Sequence, residues 1–240
     1  MHHVGIDLAW GERSPSGVAV LDDRAQLLHV STHVHEDDVV TAVEPWIAEE
    51  CLVGIDAPLV VRNATGTRGA ERELNADFRR FEAGAHPTNL GKVEMIGGSR
   101  GLRVCDRLGL AVDPEPGPPR RAIEVYPHAA TIALFDLPRT LKYKAKQGRD
   151  LELLRSELLR LMDLVTTVVT TDDDWDALRR RVEQAERKSH LRVVEDQVDA
   201  VLCAYVAWFA HHHPDRTTTY GDRDDGFIVT PSLPGRPSPP

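Results

Sequence analysis

Two short stretches limit what this chain can fold into. Val4-Gly5-Ile6-Asp7-Leu8-Ala9-Trp10 lies near the N-terminus, and Leu52-Val53-Gly54-Ile55-Asp56-Ala57-Pro58 repeats its pattern. Each reads as a short apolar strand of the kind that is buried in a sheet. Each carries an acid, which an interior seldom holds without a partner. Either aspartate alone is equally well explained as the opening of a turn or a helix N-cap. Two Gly-Ile-Asp strands together point to neighbouring strands that deliver carboxylates to one place, to hold a divalent cation or move a proton.

The elements around them specify a topology. Residues 3–9, 18–21 and 26–32 read as strands joined by turns at Ser14-Pro15-Ser16-Gly17 and Asp22-Asp23-Arg24-Ala25, an antiparallel meander. Residues 36–50 carry Val39, Val40, Val43 and Ile47 on one helical face behind the acidic start Glu36-Asp37-Asp38. Residues 51–56 form the next strand. The order β-β-β-α-β lets this strand return parallel to the first and beside it, so that Asp7 and Asp56 meet.

Residues 62–118 are rich in Arg, Gly and Pro and read as a helical insertion covering one end of the sheet. Helices are predicted over 69–83, with Leu74, Phe78 and Phe81 inward, and over 98–109, with Leu102, Cys105 and Leu108 inward. A loop at His86-Pro87-Thr88-Asn89-Leu90-Gly91 separates them, and a stiff connector covers 113–119. Glu124 lies inside a further strand over 121–125, and Tyr126-Pro127-His128 opens a helix. Helices follow at roughly 150–163, 175–190 and 193–212, then a short strand at Gly226-Phe227-Ile228-Val229-Thr230. The stretch 232–240 is a Pro-rich tail that reads as disordered, leaving residues 1–231 as a single domain.

The last long helix adds Glu195, Asp196 and Asp199. Glu195 and Asp196 suit its N-terminal turn, but Asp199 stands further in, beside the apolar run Ala200-Val201-Leu202-Cys203-Ala204. The expected catalytic set is therefore Asp7, Asp56, Glu124 and Asp199, with Asp7, Asp56, Asp199 and Asp196 as metal ligands. Converging carboxylates repel one another, and Mg²⁺ or Mn²⁺ would relieve the repulsion, since hard cations take oxygen ligands. Two such ions can drive phosphodiester hydrolysis. Lys142, Lys144 and Lys146 form a basic stretch without interleaved acids and are candidates for phosphate contact. Arg72 is a further candidate, although Arg68, Arg72, Arg79 and Arg80 alternate with Glu71, Glu73 and Asp77 as a solvated helix face would.

Other classes have little support. The net charge of −9 argues against bulk nucleic-acid affinity, though not against a local basic groove. Cys51, Cys105 and Cys203 form no CxxC pair or disulfide framework, and there is no signal-peptide pattern and no apolar run near the roughly 20 residues of a membrane span, so the expectation is a cytoplasmic protein. GxSxG, P-loop and GxGxxG motifs are absent. His211-His212-His213 ends the last helix, where adjacent residues point in different directions, so no metal site is expected there.

Gly5-Ile6-Asp7, Gly54-Ile55-Asp56-Ala57-Pro58, Glu124-Val125-Tyr126-Pro127-His128-Ala129, Lys142-Tyr143, Asp199 through Tyr205 and Gly226 through Pro231 occur in an order that resembles the domain of unknown function 429 family, described as a predicted ribonuclease H-like nuclease. The resemblance covers about residues 3 to 231. It implies an α/β fold with a five-stranded mixed sheet flanked by helices on both sides. It places the catalytic acids on Asp7, Asp56 and Asp199, with Glu124 as a plausible addition, and nucleic acid as partner. Two rival readings remain open. An actin-like Mg-nucleotide phosphotransferase shares the β-β-β-α-β start, but Leu8-Ala9-Trp10 stands where phosphate-holding Gly, Ser or Thr would follow the first Asp. A non-catalytic binding scaffold is the other, and an idle acid cluster would cost it stability.

Overall fold

The computed structural model describes residues 1–11, 14–92, 95 and 98–235. Strands β1 (His2–Asp7), β2 (Ser16–Leu21) and β3 (Leu27–His33) form the antiparallel meander, α1 (Glu36–Val43) crosses over, and β4 (Cys51–Asp56) returns. Next come α2 (Gly69–Phe78), α3 (Arg100–Leu108), β5 (Ala111–Val112), β6 (Arg120–Glu124) and α4 (Pro127–Phe135). The chain ends with α5 (Leu151–Val165), α6 (Asp173–Glu183), α7 (Lys188–His212), β7 (Thr217–Asp222) and β8 (Gly226–Pro231).

The main sheet has the order β3-β2-β1-β4-β6-β5, a mixed α/β arrangement consistent with ribonuclease H-like topology. β1 pairs antiparallel with β2 and parallel with β4, as the crossover predicts. The sheet holds a sixth strand where five were expected. The two-residue β5 adds an edge on β6, too short to leave a periodic signal. β7 lies in a Thr-rich stretch without apolar alternation and forms a separate hairpin with β8.

Alternation along the strands divides the core in two. Val4, Ile6, Val53, Ile55 and Ala122 pack with Val39 and Val43 of α1 and with Val104, Cys105 and Leu108 of α3. The residues between them, His3, Gly5 and Asp7 on β1 and Leu52, Gly54 and Asp56 on β4, face α7. The region expected as an insertion thus supplies part of the helical layer through α3 and a sheet edge through β5. Leu102 points outward at 37% exposure, because the buried stripe of α3 runs through Gly101, Val104, Cys105 and Leu108. Ser232 is tied down by a bond from its N–H to the Arg216 carbonyl and by the Thr218 hydroxyl, so the predicted tail does not begin there; its residues 236–240 lie outside the described residues.

Glycine decides how closely α7 approaches the sheet. A Cβ on Gly5 would fall 2.0 Å from the Ala200 carbonyl oxygen and 2.2 Å from the Ala204 nitrogen. On Gly54 it would fall 2.4 Å from the Cys203 carbonyl oxygen, and on Gly17 1.9 Å from that of Asp196. The helix backbone therefore rests on three strands where no other residue fits. The glycine of each Gly-Ile-Asp unit seats the helix that carries Asp199, and its aspartate meets that helix two residues later.

Candidate functional site: a buried carboxylate cluster around Lys144

Asp7 and Asp56 end their strands in direct parallel register. Register partners on neighbouring parallel strands, about 4.8 Å apart, project to the same face. That face is covered by α7. Two anchors from α3 fix the chain just beyond the two aspartates: Arg100 Nη1 donates to the Ala9 carbonyl at 2.7 Å, and the Ser99 hydroxyl donates to the Pro58 carbonyl. Asp7 is 9% exposed, Asp56 is half-buried and Asp199 is fully buried.

The cation in this cluster is Lys144. Its Nζ lies 2.6 Å from Asp199 Oδ2, a close ion contact with a poor hydrogen-bond angle, while the Tyr143 hydroxyl donates to Asp199 Oδ1 at 2.7 Å. One lysine does not neutralise the acids facing it. Burial raises Asp7 to about 8; Lys144 opposes that rise, and the charges of Asp199, Asp196 and Glu195 add to it. Burial and then the Asp7 charge raise Asp56 well above the carboxylate range, against Lys144. Glu195 and Asp196 are each raised to about 7, mainly by burial. Burial alone would lower Lys144, but Asp199, Asp7 and Asp56 together hold it well above the ordinary lysine value. The Oδ2 atom of Asp196 is buried without a hydrogen-bond partner. The sequence places Glu195 in the N-terminal turn of its helix, but α7 begins seven residues earlier, at Lys188. Glu195 is 8% exposed and belongs to this acidic wall.

The cluster stands between two recesses. A cavity of about 420 Å³ is lined by Asp56, Arg68, Glu124, Tyr126, His128 and the basic run Lys142, Lys144, Lys146 and Arg149, among others. A second, of about 270 Å³, is lined by Asp7, Asp56, Lys144, Arg192, Glu195 and Asp196 together with the loop after β1. Trp10, Asp56 and Lys144 border both.

Glu124 does not join the three aspartates. It pairs in register with Ile55, one position short of Asp56, so its side chain leaves the sheet on the other face. There Arg68 holds it with two bonds, Nη1 to Oε2 at 2.9 Å and Nη2 to Oε1 at 2.5 Å, and the Leu59 N–H donates to Oε2 at 2.9 Å. Arg68 also bonds Glu71 at 3.0 Å. Arg68 and Glu71 are 3% and 1% exposed, so the solvated face expected for α2 is wrong at these two positions. Their burial follows from the long-range pairing with Glu124, which the local mixture of charges does not reveal.

The remaining basic candidates separate. Lys144 is central. Lys142 lines the larger cavity and is ion-paired to Glu82. Arg72 donates to the Thr67 carbonyl and lines another recess with Asn63, Gly221 and Asp222, bordered by neither Asp7, Asp56 nor Asp199.

Fold and site together define an α/β protein in which two central strands and the longest helix gather buried carboxylates around a lysine. The family model described as "Protein of unknown function (DUF429)" matches residues 5–225, and the chain belongs to that family. No curated protein and no solved structure is matched. No helix among the described residues is long and apolar enough to cross a membrane.

Proposed function

We propose that this chain is a divalent-metal-dependent phosphodiester hydrolase acting on nucleic acid, with Asp7, Asp56 and Asp199 as the ligand and catalytic carboxylates. The observation that carries this reading is the register match of Asp7 with Asp56 under the helix bearing Asp199, with more acid than Lys144 offsets. The donor set suits Mg²⁺ or Mn²⁺ in its chemistry, being all carboxylate, and the unpartnered Oδ2 of Asp196 offers one more oxygen. No three of these carboxylates have oxygens within 4.8 Å of one another, so an ion would have to draw them together. Such an ion would supply Lewis-acid activation of water and of the phosphoryl oxygens.

The chain's own groups do the rest. Tyr143 orients Asp199 through its hydroxyl. Asp7, protonated around neutral pH in the absence of metal, holds a proton that an entering cation would displace. Lys144, Lys146 and Arg149 give the larger cavity a positive side for phosphates, and Lys142 adds to it less because Glu82 offsets its charge. Glu124, fixed by Arg68, positions the cavity wall, and Arg72 has no part in this site.

The test is turnover of bis(p-nitrophenyl) phosphate and of labelled single-stranded, duplex, hybrid and branched nucleic acids, with Mg²⁺ or Mn²⁺ and with EDTA. Cleavage that needs the ion and falls about a hundredfold or more in Asp7→Asn is expected, on the scale of losing one preorganised electrostatic group. No cleavage of any of these substrates, or cleavage indifferent to Asp7→Asn, would overturn the proposal.

A further inference from the structure

The face of β1 that carries Asp7 at one end carries His3 at the other. Strand β1 and helix α7 run in opposite directions across their contact, so the first residues of the strand meet the last turn of the helix. Gly5 touches Ala200 and Ala204, and the same helix stripe arrives seven residues later at His211. There the rings of His3 and His211 lie 5.4 Å apart, those of His3 and His212 5.4 Å, and those of His211 and His212 4.9 Å. One ligand nitrogen from each of the three falls within 4.8 Å of the other two.

His3 is the informative member. It is fully buried, and neither ring nitrogen has a hydrogen-bond partner. The backbone of Asp22 slightly favours the charged ring but reaches neither nitrogen in hydrogen-bonding geometry. Two unmet nitrogens in an interior cost free energy that ring packing does not return. Burial, with His211 and His212 adding, lowers His3 to about 3, so the ring is neutral and keeps a lone pair at physiological pH. His212 is oriented as a metal-binding histidine usually is. Its Nδ1 lies 3.0 Å from the Trp208 carbonyl, a bond in which the ring must donate, so Nε2 is the atom left to face an ion. Trp208 stacks on that ring at 4.4 Å, and Asp23 Oδ1 lies 3.6 Å from Nε2. His211 is exposed and gives an ion a way in.

We propose that His3, His211 and His212 form a binding site for a borderline divalent transition ion, of which Zn²⁺ is the probe, with Asp23 or water in the fourth position. Three imidazole ligands select Zn²⁺, Co²⁺, Ni²⁺ or Cu²⁺ over Mg²⁺. Imidazole nitrogens around a tetrahedral Zn²⁺ stand about 3.3 Å apart, given bonds of 2.0–2.1 Å, so side-chain rotation closes the remaining gap. The ion would clamp the start of β1 to the end of α7, at the far end of the contact that assembles the carboxylates. This site is independent of the hydrolase reading. No metal is expected from the sequence at these histidines, because adjacent residues on a helix point in different directions; the third ligand comes from a strand more than two hundred residues away in sequence.

The untagged full chain would be loaded with Zn²⁺, freed of excess ion and assayed for bound zinc, with Co²⁺ absorption as a report on geometry and thermal unfolding with and without Zn²⁺. One equivalent should remain in the wild type and in Asp7→Asn, with a Co²⁺ spectrum of tetrahedral nitrogen ligation. His211→Gln, at an exposed position that leaves folding intact, should bind at least about tenfold more weakly and lose the zinc-dependent rise in Tm. His212→Gln should do the same. No retained zinc in the wild type, equal retention in His211→Gln and His212→Gln, or loss only in Asp7→Asn would overturn the site. The last outcome would place the ion among the carboxylates.

Discussion

Replacing Asp7 by Asn should make the metal-free protein more stable, and by an amount that grows with pH. Asp7 is raised from 3.8 to about 8 by burial, with Asp199, Asp196 and Glu195 adding and Lys144 opposing. The native state thus binds a proton that the unfolded chain releases once pH exceeds the ordinary carboxylate value. Stability is full below that value and is lost as pH climbs toward the folded value. Each unit of separation is worth about 1.4 kcal/mol, so the cost at pH 7 is about 4 kcal/mol and at pH 5 about 2 kcal/mol. Asparagine fills the same volume without the charge and should recover much of this. The figures are upper bounds, because Asp56 and Lys144 readjust when the charge beside them disappears. For a chain of this length, 4 kcal/mol corresponds to roughly 10 °C in Tm. The assay is thermal and urea unfolding of wild type and Asp7→Asn in EDTA at pH 5, 6, 7 and 8. A variant less stable than wild type at pH 7, or a difference that does not change between pH 5 and 8, would refute the account of a cluster strained by its own charge.

Two further outcomes follow from the packing. Gly5→Ala puts a methyl group 2.0 Å from the Ala200 carbonyl oxygen, so α7 must lift from the sheet. The cost should reach or exceed the ~3 kcal/mol upper end for ordinary overpacking, read as a lower urea midpoint, and Mn²⁺ affinity at the carboxylates should weaken with it. Arg68→Ala leaves Glu124 and Glu71 buried without their partner and should cost about 3–5 kcal/mol, whereas the double change Arg68→Met with Glu124→Gln should recover part of that loss in the same unfolding assay.

The legible part of this protein lies in local pattern. Gly-Ile-Asp appears in two apolar strands, and a meander followed by a crossover helix lets those strands lie as parallel neighbours. Asp7 is thereby expected beside Asp56, where the register has it. Asp199 was visible for a similar reason, as an acid one turn inside an apolar helix face. Glu124 shows where pattern stops. A strand sequence gives alternation but not register against its neighbour, and a one-residue offset turned Glu124 to the other face, toward Arg68. Arg68 and Glu71 looked solvated because their compensating charge lies more than fifty residues ahead.

The sequence by itself determined the β-β-β-α-β order of the first sixty residues and the place of two aspartates at the ends of apolar strands, because these follow from periodicity and chain connectivity. Only the tertiary structure decided which charges face each other. Lys144 became the cluster's counter-ion through its pairing with Asp199, fifty-five residues on in sequence. His3 met His211 and His212 because three glycines let a helix lie directly on the sheet and run the full length of one strand. Contacts of this kind depend on fractions of an ångström between distant segments, and no local pattern of residues records that distance.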